Sequence, residues 1–217
     1  MSSVSDVLTE MFSGQALMAI LRGLGPERSV ALATRAWSLG IDCVEVPIQS
    51  AADVDSLRAV VEAGKASRKP VGAGTVVSLD HVRRARAAGA AFTVSPGYDV
   101  DVARASRDAG MAPLPGVATA SEVQAAMKDG FTWLKAFPAA ALGPAWFSMM
   151  AGPFPAARFV ATGGMDASNA EQFLAVGARV VAVGSALADP DQIELLAAIQ
   201  GRLAPRVSNP ADGTSPR

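Results

Sequence analysis

The chain has 217 residues, of which 50% are hydrophobic and 18% are charged, and its formal net charge is −1 at pH 7. This length and composition predict one folded domain with a substantial core and argue against disorder over most of the chain. The small net charge leaves no basic excess for a nucleic acid or an anionic membrane, and the apolar runs are too short to span a bilayer.

The N-terminal segment and the scarcity of cysteine and histidine exclude further classes of protein. Residues 1–12 contain acidic side chains and lack the basic and apolar regions of a secretory signal, so a cytoplasmic protein is expected. Cys43 is the only cysteine, which excludes an intrachain disulfide. His81 is the only histidine, and no spaced acidic cluster resembles a cation loop, so no metal or other cofactor is expected.

Short apolar segments alternate along the chain with helical ones. An extra helix is predicted over residues 1–13. Eight strands are then predicted, over residues 16–22, 43–48, 70–75, 91–95, 112–117, 132–137, 158–163 and 179–185. Because nearly all-apolar strands belong to parallel sheets that helices cover, the pattern indicates an α/β fold.

Glycines and capping residues mark the predicted ends of the helices between these strands. Glycine is favoured just past the C-terminus of a helix, and such glycines recur every 20 to 25 residues at Gly40, Gly64, Gly89, Gly110, Gly130, Gly152, Gly177 and Gly201. Helix starts are predicted at Ser50 with Asp53, at Ser121 before Glu122, and at Ser168 with Glu171. Eight helices are therefore expected after the N-terminal one.

Eight strand–helix units in a chain of this length predict a (β/α)8 TIM barrel with an extra N-terminal helix. The alternative is an open doubly wound sheet, but the glycine-rich dinucleotide loop that usually follows its first strand is missing. We expect one barrel domain over residues 1–204 and a polar, disordered tail over residues 205–217.

Lys135 is the first candidate for chemistry, because barrel active sites lie at the C-terminal ends of the strands. It stands inside the apolar segment FTWLKAFP. Side chains alternate along a strand, so Leu134 and Ala136 are predicted to face the helices and Lys135 to point into the barrel. Burial lowers the pKa of an amine, and a neutral amine attacks carbonyl groups. The alternative is a structural lysine paired with a carboxylate.

Glu45 is the second candidate and lies on the predicted second strand, CVEVPI. Val44 and Val46 are predicted to face the helices, which points Glu45 into the barrel as well. A carboxyl group near a buried lysine can act as a general acid and base. The alternative is a buried ion pair without chemistry, although such pairs are poor stabilisers compared with apolar packing.

Glycines at the ends of the last two predicted strands indicate an anion site. The candidates are Gly163, Gly164, Gly184 and Ser185. Glycine lets backbone N–H groups approach an oxyanion, and barrel enzymes frequently bind phosphate in the loops after strands seven and eight. The alternative is that these glycines only form tight turns.

Three further polar residues lie near predicted strand ends. Thr75 offers a hydroxyl group at the end of the segment GAGT, and Arg22 closes the first strand, where it could hold a carboxylate bidentately. The alternative for Arg22 is a solvated loop residue. His81 is predicted near the start of a helix, and we interpret it as a surface residue.

Taken in order, the motifs ILRG, EVPIQS, VGAGTV, VSPG, PLPGVAT, LKAFPA, ATGG and VGS resemble those of a known family. It comprises the aldolases of 2-keto-3-deoxy-6-phosphogluconate (KDPG), of its galactonate epimer (KDPGal) and of 4-hydroxy-2-oxoglutarate. The resemblance spans residues 16–187. It implies a metal-free class I aldolase that cleaves a phosphorylated 2-keto acid to pyruvate and glyceraldehyde 3-phosphate, and it implies a homotrimer.

The resemblance also implies roles for individual residues. Lys135 matches the lysine that forms an imine with the substrate, and Glu45 matches the acid–base residue. Thr75 matches the residue that touches the pyruvyl carboxylate, while Pro96 and Phe137 match residues lining the pocket. The phosphate site is matched by Gly163, Gly164 and Ser185.

Features of two branches of the family occur together in this chain. The KDPG branch usually has an arginine where Gln49 stands. Arg22, Pro47 and Ser50 are more similar to the galactonate branch, whereas Thr162 is more similar to the gluconate branch. A hydroxyl group at Thr162 could sense the configuration at C4 of the substrate.

Three other functions remain open from the sequence. A phosphosugar isomerase or epimerase would use the same barrel and phosphate loops without an imine. An aldolase for 4-hydroxy-2-oxoglutarate, or an oxaloacetate decarboxylase, would use the same imine without a phosphate. A non-catalytic barrel that binds metabolites would leave both Lys135 and Glu45 without a chemical role.

Overall fold

Strands and helices alternate through residues 4–203, the part of the chain that the computed structural model describes. The strands are β1 (Leu17–Ile20), β2 (Val44–Pro47), β3 (Val71–Gly74), β4 (Phe92–Val94), β5 (Ala112–Leu114), β6 (Gly116–Val117), β7 (Trp133–Ala136), β8 (Arg158–Thr162) and β9 (Ala178–Val183). The helices are α1 (Val4–Met11), α2 (Pro26–Ser38), α3 (Ala51–Lys65), α4 (Leu79–Ala87), α5 (Val100–Asp108), α6 (Ala120–Lys128), α7 (Ala139–Leu142), α8 (Pro144–Ala151), α9 (Ala170–Ala175) and α10 (Pro190–Leu203). A short 3-10 helix spans Ser185–Ala188.

The nine strands form one parallel sheet in the order β5-β4-β3-β2-β1-β9-β8-β7-β6. Its two edge strands, β5 and β6, are consecutive parts of the predicted fifth strand, which Pro115 interrupts. The Pro115 carbonyl accepts a hydrogen bond of 2.8 Å from the N–H of Lys135 on β7. Since one segment supplies both edges, the sheet closes on itself, and the predicted (β/α)8 barrel is confirmed.

The core has an outer layer between strands and helices and an inner layer inside the barrel. Leu134 and Ala136 belong to the outer cluster, as do Val44 and Val46, which confirms the predicted strand faces. The inner cluster contains Trp133. Side chains that point inward therefore meet at the barrel axis. The alternation of side chains along a strand places Lys135 and Glu45 there.

Helix α1 closes the N-terminal end of the barrel. Its Leu8, together with the following Phe12, packs into the inner cluster. The Phe12 and Trp133 rings lie 4.8 Å apart between centroids. The predicted extra N-terminal helix is therefore present, and it leaves the C-terminal ends of the strands as the open side of the barrel.

Several predicted helix boundaries are wrong. Gly64 and Gly201 lie inside α3 and α10 rather than beyond their ends. Ser121 lies inside α6, whose cap is Thr119 in a capping box with Glu122. Ser168 bonds to Asp166, and α9 starts at residue 170 without a side-chain cap. The two serine errors arise because several neighbouring polar residues can cap a helix. The two glycine errors arise because glycine is tolerated inside a helix near its end.

Two expectations concern the ends of the chain and its relation to membranes. Across residues 4–203, the structure contains no helix that is both long and apolar enough to cross a bilayer. The tail predicted over residues 205–217 lies outside the described residues.

Candidate active site

A cavity of about 690 Å³ opens at the C-terminal ends of the strands. It collects residues from β1, β3, β4, β7, β8 and β9 or from the loops that follow them. Ten of the residues singled out in the sequence line it: Arg22, Thr75, Pro96, Lys135, Phe137, Thr162, Gly163, Gly164, Gly184 and Ser185. The structure therefore brings together residues that lie far apart in the chain.

Lys135 projects from the middle of β7 into this cavity. Its residue surface is only 4% exposed, so the amine lies at the bottom of the cavity rather than in open solvent. The Nζ atom lies 5.0 Å from the centroid of the Phe137 ring. The amine is thus accessible to a small molecule from the cavity and is otherwise surrounded by protein.

Glu45 lies deeper than the cavity lining, on β2, and is fully buried. Its side chain lies directly against Gly74 on β3, where a Cβ atom would come within 1.9 Å of the carboxylate oxygen Oε1. Neither carboxylate oxygen has a hydrogen-bond partner among residues 4–203. The carboxyl group therefore retains its capacity to exchange a proton with a bound molecule.

The electrostatics favour the uncharged forms of both groups. Burial raises the pKa of Glu45 above its ordinary value, although the positive charges of Lys135 and Arg22 oppose the shift. Burial also lowers the pKa of Lys135, opposed by the Glu45 charge and reinforced by that of Arg22. A neutral amine is a nucleophile, and a carboxyl group with a raised pKa takes up a proton more readily than an exposed one.

Arg22 and Gln49 interact at the rim of the cavity. The Arg22 guanidinium Nη1 donates a hydrogen bond of 2.5 Å to Oε1 of Gln49. Arg22 lines the cavity, whereas Gln49 lies outside its lining. The structure therefore places Gln49 beside the cavity, where its side-chain oxygen orients Arg22.

The loops after β8 and β9 form another part of the cavity lining. Gly163 and Gly164 have φ angles of +96° and +76°, and a Cβ atom on either would crowd Phe137 or Ala140. The N–H of Ala140 donates to the Gly163 carbonyl (3.0 Å), and Asn169 Nδ2 donates to that of Gly164 (2.9 Å). These bonds fix a loop that only glycine can form at both positions.

Four residues complete the lining that the sequence predicted. Gly184 and Ser185 stand at the start of the short 3-10 helix after β9. Pro96 follows β4, and its carbonyl lies so close to Gly116 that a Cβ there would come within 2.3 Å. Thr162 ends β8, and its buried Oγ1 atom has no hydrogen-bond partner within the described part of the chain.

Sequence reasoning missed the apolar wall of the cavity and one acidic residue. Leu24, Leu32 and Met165 line the cavity, but apolar residues in a sequence do not reveal whether they face a core or a ligand. Asp166 lines it too, and its carboxylate accepts hydrogen bonds from the N–H and hydroxyl groups of Ser168. The hydroxyl bond is the main reason that the pKa of Asp166 lies below its ordinary value.

Comparison with known proteins shows what this chain is similar to. A family model described as KDPG and KHG aldolase matches residues 9–200. The 2-dehydro-3-deoxy-phosphogluconate aldolase of Treponema pallidum is 35% identical over 167 residues, which cover 76% of this chain and 78% of that protein. The 2-dehydro-3-deoxy-6-phosphogalactonate aldolase of Escherichia coli K12 is 33% identical over 172 residues, or 79% of this chain and 83% of that protein.

A solved structure is similar over almost the whole chain. It is a KDPG aldolase from Legionella pneumophila, determined with pyruvate captured at low pH as a covalent carbinolamine intermediate. It superposes with a TM-score of 0.78 and 25% sequence identity, covering 94% of this chain and 98% of that one.

The buried amine leads to a prediction about stability. We expect Lys135→Met to raise the free energy of unfolding at pH 7 by about 1–2 kcal/mol, which corresponds to about 2–4 °C in Tm per kcal/mol. The folded-state pKa of Lys135 lies below its ordinary value of 10.5, so the unfolded chain binds more protons between the two values. Wild-type stability rises with pH through that window, and the advantage of the variant shrinks towards pH 10.5.

Thermal unfolding of both proteins at several pH values provides the measurement. Lys128→Met is the matched control, because Lys128 is exposed near the end of α6. It is expected to change Tm little at any pH. A Lys135→Met protein that is less stable than the wild type at pH 7 would show that Lys135 is a charged structural residue instead.

Proposed function

The chain belongs to the family of KDPG and KHG aldolases, and on this premise we propose which of its residues carry out the reaction. The protein is a class I aldolase that cleaves a 2-keto-3-deoxy-6-phospho sugar acid, KDPGal or KDPG, to pyruvate and glyceraldehyde 3-phosphate. One observation supports the residue roles most strongly: Lys135 is buried at the bottom of the cavity, and its pKa is lowered by burial.

Lys135 forms the covalent intermediate in this proposal. Its neutral Nζ atom attacks the C2 carbonyl carbon of the substrate to give a carbinolamine, which loses water to form a protonated imine. The imine withdraws electrons from the C3–C4 bond. The Phe137 ring beside the amine supports a cation there, because the nitrogen lies 5.0 Å from the ring centroid.

Glu45 transfers the protons. In its ionised form it removes the proton of the C4 hydroxyl group, and the C3–C4 bond then breaks with its electron pair moving into the imine. Glyceraldehyde 3-phosphate leaves, and an enamine remains on Lys135. The carboxyl group returns the proton to C3, and water hydrolyses the imine to release pyruvate and the free amine. The buried, unpartnered carboxylate oxygens of Glu45 support this role.

The cavity lining offers groups that can bind both charged parts of the substrate. Arg22, oriented by Gln49, and Thr75 are proposed to bind the carboxylate. The loops at Gly163–Gly164 and Gly184–Ser185 are proposed to bind the phosphate through backbone N–H groups.

Turnover by Lys135 variants tests the residue assignment. Pyruvate release from KDPGal and KDPG, measured in parallel by coupled reduction to lactate, is expected for the wild type with at least one epimer. Lys135→Ala should reduce it to the assay background, because an imine cannot form without the amine. The exposed Lys128→Ala variant should match the wild type.

Two outcomes would count against these assignments. A folded Lys135→Ala protein that still releases pyruvate would show that the imine is not formed on this lysine. A wild-type protein inactive on both epimers would reject the substrate class. The ratio of kcat/KM for the two epimers shows which configuration at C4 the protein prefers.

Gly74 provides a test of Glu45 that leaves Glu45 itself unchanged. An alanine at this position would place a Cβ atom 1.9 Å from Glu45 Oε1 and 2.6 Å from its carboxyl carbon. Gly74→Ala is therefore expected to displace the carboxyl group and to lower kcat by about 100-fold, the scale of general acid–base catalysis.

Gly97→Ala is the matched control for this variant, since a Cβ at Gly97 meets nothing within 4 Å. It should retain the wild-type kcat. If a folded Gly74→Ala protein turns over at the wild-type rate, Glu45 does not transfer the protons.

The assembly proposed for the chain is a homotrimer, as its family resemblance implies. Among the described residues, four large apolar side chains are half exposed or more in the isolated chain, namely Val77 (52%), Leu79 (50%), Met149 (70%) and Leu195 (57%). Such side chains are candidates for burial between subunits. Sedimentation equilibrium is expected to give three times the mass of the chain, and a monomer at all concentrations would contradict the proposal.

A further inference from the structure

The turn between β3 and α4 places Thr75 in an uncommon backbone conformation. Its φ angle is +58°, and only one other non-glycine residue of the described chain, Arg68, has a positive φ. A β-branched side chain rarely adopts this left-handed region, and it persists only where the surroundings hold it. Thr75 also lines the cavity. The contacts that hold this turn therefore also affect the position of Thr75 in the cavity.

The peptide groups on either side of Thr75 are tied to the barrel. The Gly74 carbonyl accepts a hydrogen bond of 3.0 Å from the N–H of Ile48, beyond β2. The Val76 carbonyl accepts one of 2.6 Å from the hydroxyl group of Ser95, beyond β4. The carbonyl of Thr75 lies between these two carbonyls in the chain and also needs a partner.

That partner is the side chain of His81, which the sequence suggested was only a surface residue. His81 is half-buried, and its Nδ1 atom lies 3.1 Å from the Thr75 carbonyl oxygen. A carbonyl oxygen only accepts, so this contact is a hydrogen bond in the tautomer that carries the proton on Nδ1. In the other tautomer, Nδ1 instead accepts from the N–H of Val77, at the longer distance of 3.4 Å.

The position of His81 in its helix gives a second argument. Ser78 caps α4 by accepting a hydrogen bond from the N–H of His81. The same spacing in α3 has Ser50 with Asp53, where the acid completes a capping box. An acidic residue would thus stabilise the start of α4 better than histidine does. Helix stability alone does not account for a ring that points at Thr75.

We propose that His81 is a positioning residue for the aldolase reaction. Its Nδ1–H group holds the Thr75 carbonyl, which fixes the left-handed turn and thereby aims Thr75 at the substrate carboxylate. The inference rests on the proposed function, in which Thr75 contacts that carboxylate. His81 itself lies outside the cavity lining and does not touch the substrate.

Three variants of nearly equal shape separate the hydrogen bond from packing. In H81N an amide nitrogen stands where Nδ1 stood and can still donate. In H81L a methyl group replaces it, and in H81D an oxygen that only accepts faces the carbonyl. Each is compared with the wild type in kcat and KM for the cleaved epimer and in thermal unfolding.

We expect the hydrogen-bond donor of H81N to preserve activity that H81L and H81D lose. H81N should keep kcat/KM within about twofold of the wild type, while H81L and H81D should lower it about three- to tenfold, the value of one hydrogen bond. The loss should fall mainly on KM, because the carboxylate is bound before and during the reaction. H81D should nevertheless unfold at the wild-type temperature or above, because it completes a capping box with Ser78.

Two results would overturn the inference. Wild-type kinetics in both H81L and H81D would show that the bond does not position Thr75. An equal loss in H81N and H81L would show that the ring matters and the donor does not. If H81L does not fold, the comparison of H81N with H81D carries the same test. Failure of the proposed function is separate, since it appears as an inactive wild-type protein.

Discussion

The removal of one amine and one carboxyl group from water is the constraint on which the rest of this structure depends. Lys135 and Glu45 are almost wholly buried, and the main effect of that burial is to disfavour both charges. A closed barrel makes this possible, because side chains from β2 and β7 meet inside it without passing through the helix layer. The chemistry follows from the environment: the same side chains in water would be an ammonium ion and a carboxylate.

The residues around Lys135 and Glu45 serve two purposes: those at one end of the barrel stabilise the fold, and those at the other end form the site. At the N-terminal end, α1 and the inner cluster seal the barrel with apolar side chains. At the C-terminal end, Gly74, Gly163 and Gly164 have no side chain, and this leaves room for Glu45 and the loops to pack closely. Arg22 has a double role in this account, because it lines the cavity and its charge also helps to lower the pKa of Lys135. Burying ionisable groups costs stability, which the outer layer of the core offsets.

Local patterns in the sequence were sufficient for the barrel and for the two central residues. Alternation along LKAF and VEVP placed Lys135 and Glu45 on the inner face, since that rule depends only on the strand. The hydrogen bond of Gln49 with Arg22 joins side chains from different segments, and the His81 ring meets the backbone carbonyl of Thr75; the sequence pattern reports neither contact. The missed cavity wall at Leu24 and Leu32 also depends on tertiary structure. The wrong cap at Ser121 does not, because the capping box of Thr119 with Glu122 is a local pattern.

The most direct test of the account is to trap the imine. The protein is incubated with pyruvate and borohydride, its intact mass is measured, and the modified residue is mapped by peptide analysis. The account predicts one reduced pyruvyl adduct per chain, located on Lys135. A folded protein that forms no adduct, or that carries it on another lysine, would contradict the central claim that burial makes Lys135 the nucleophile.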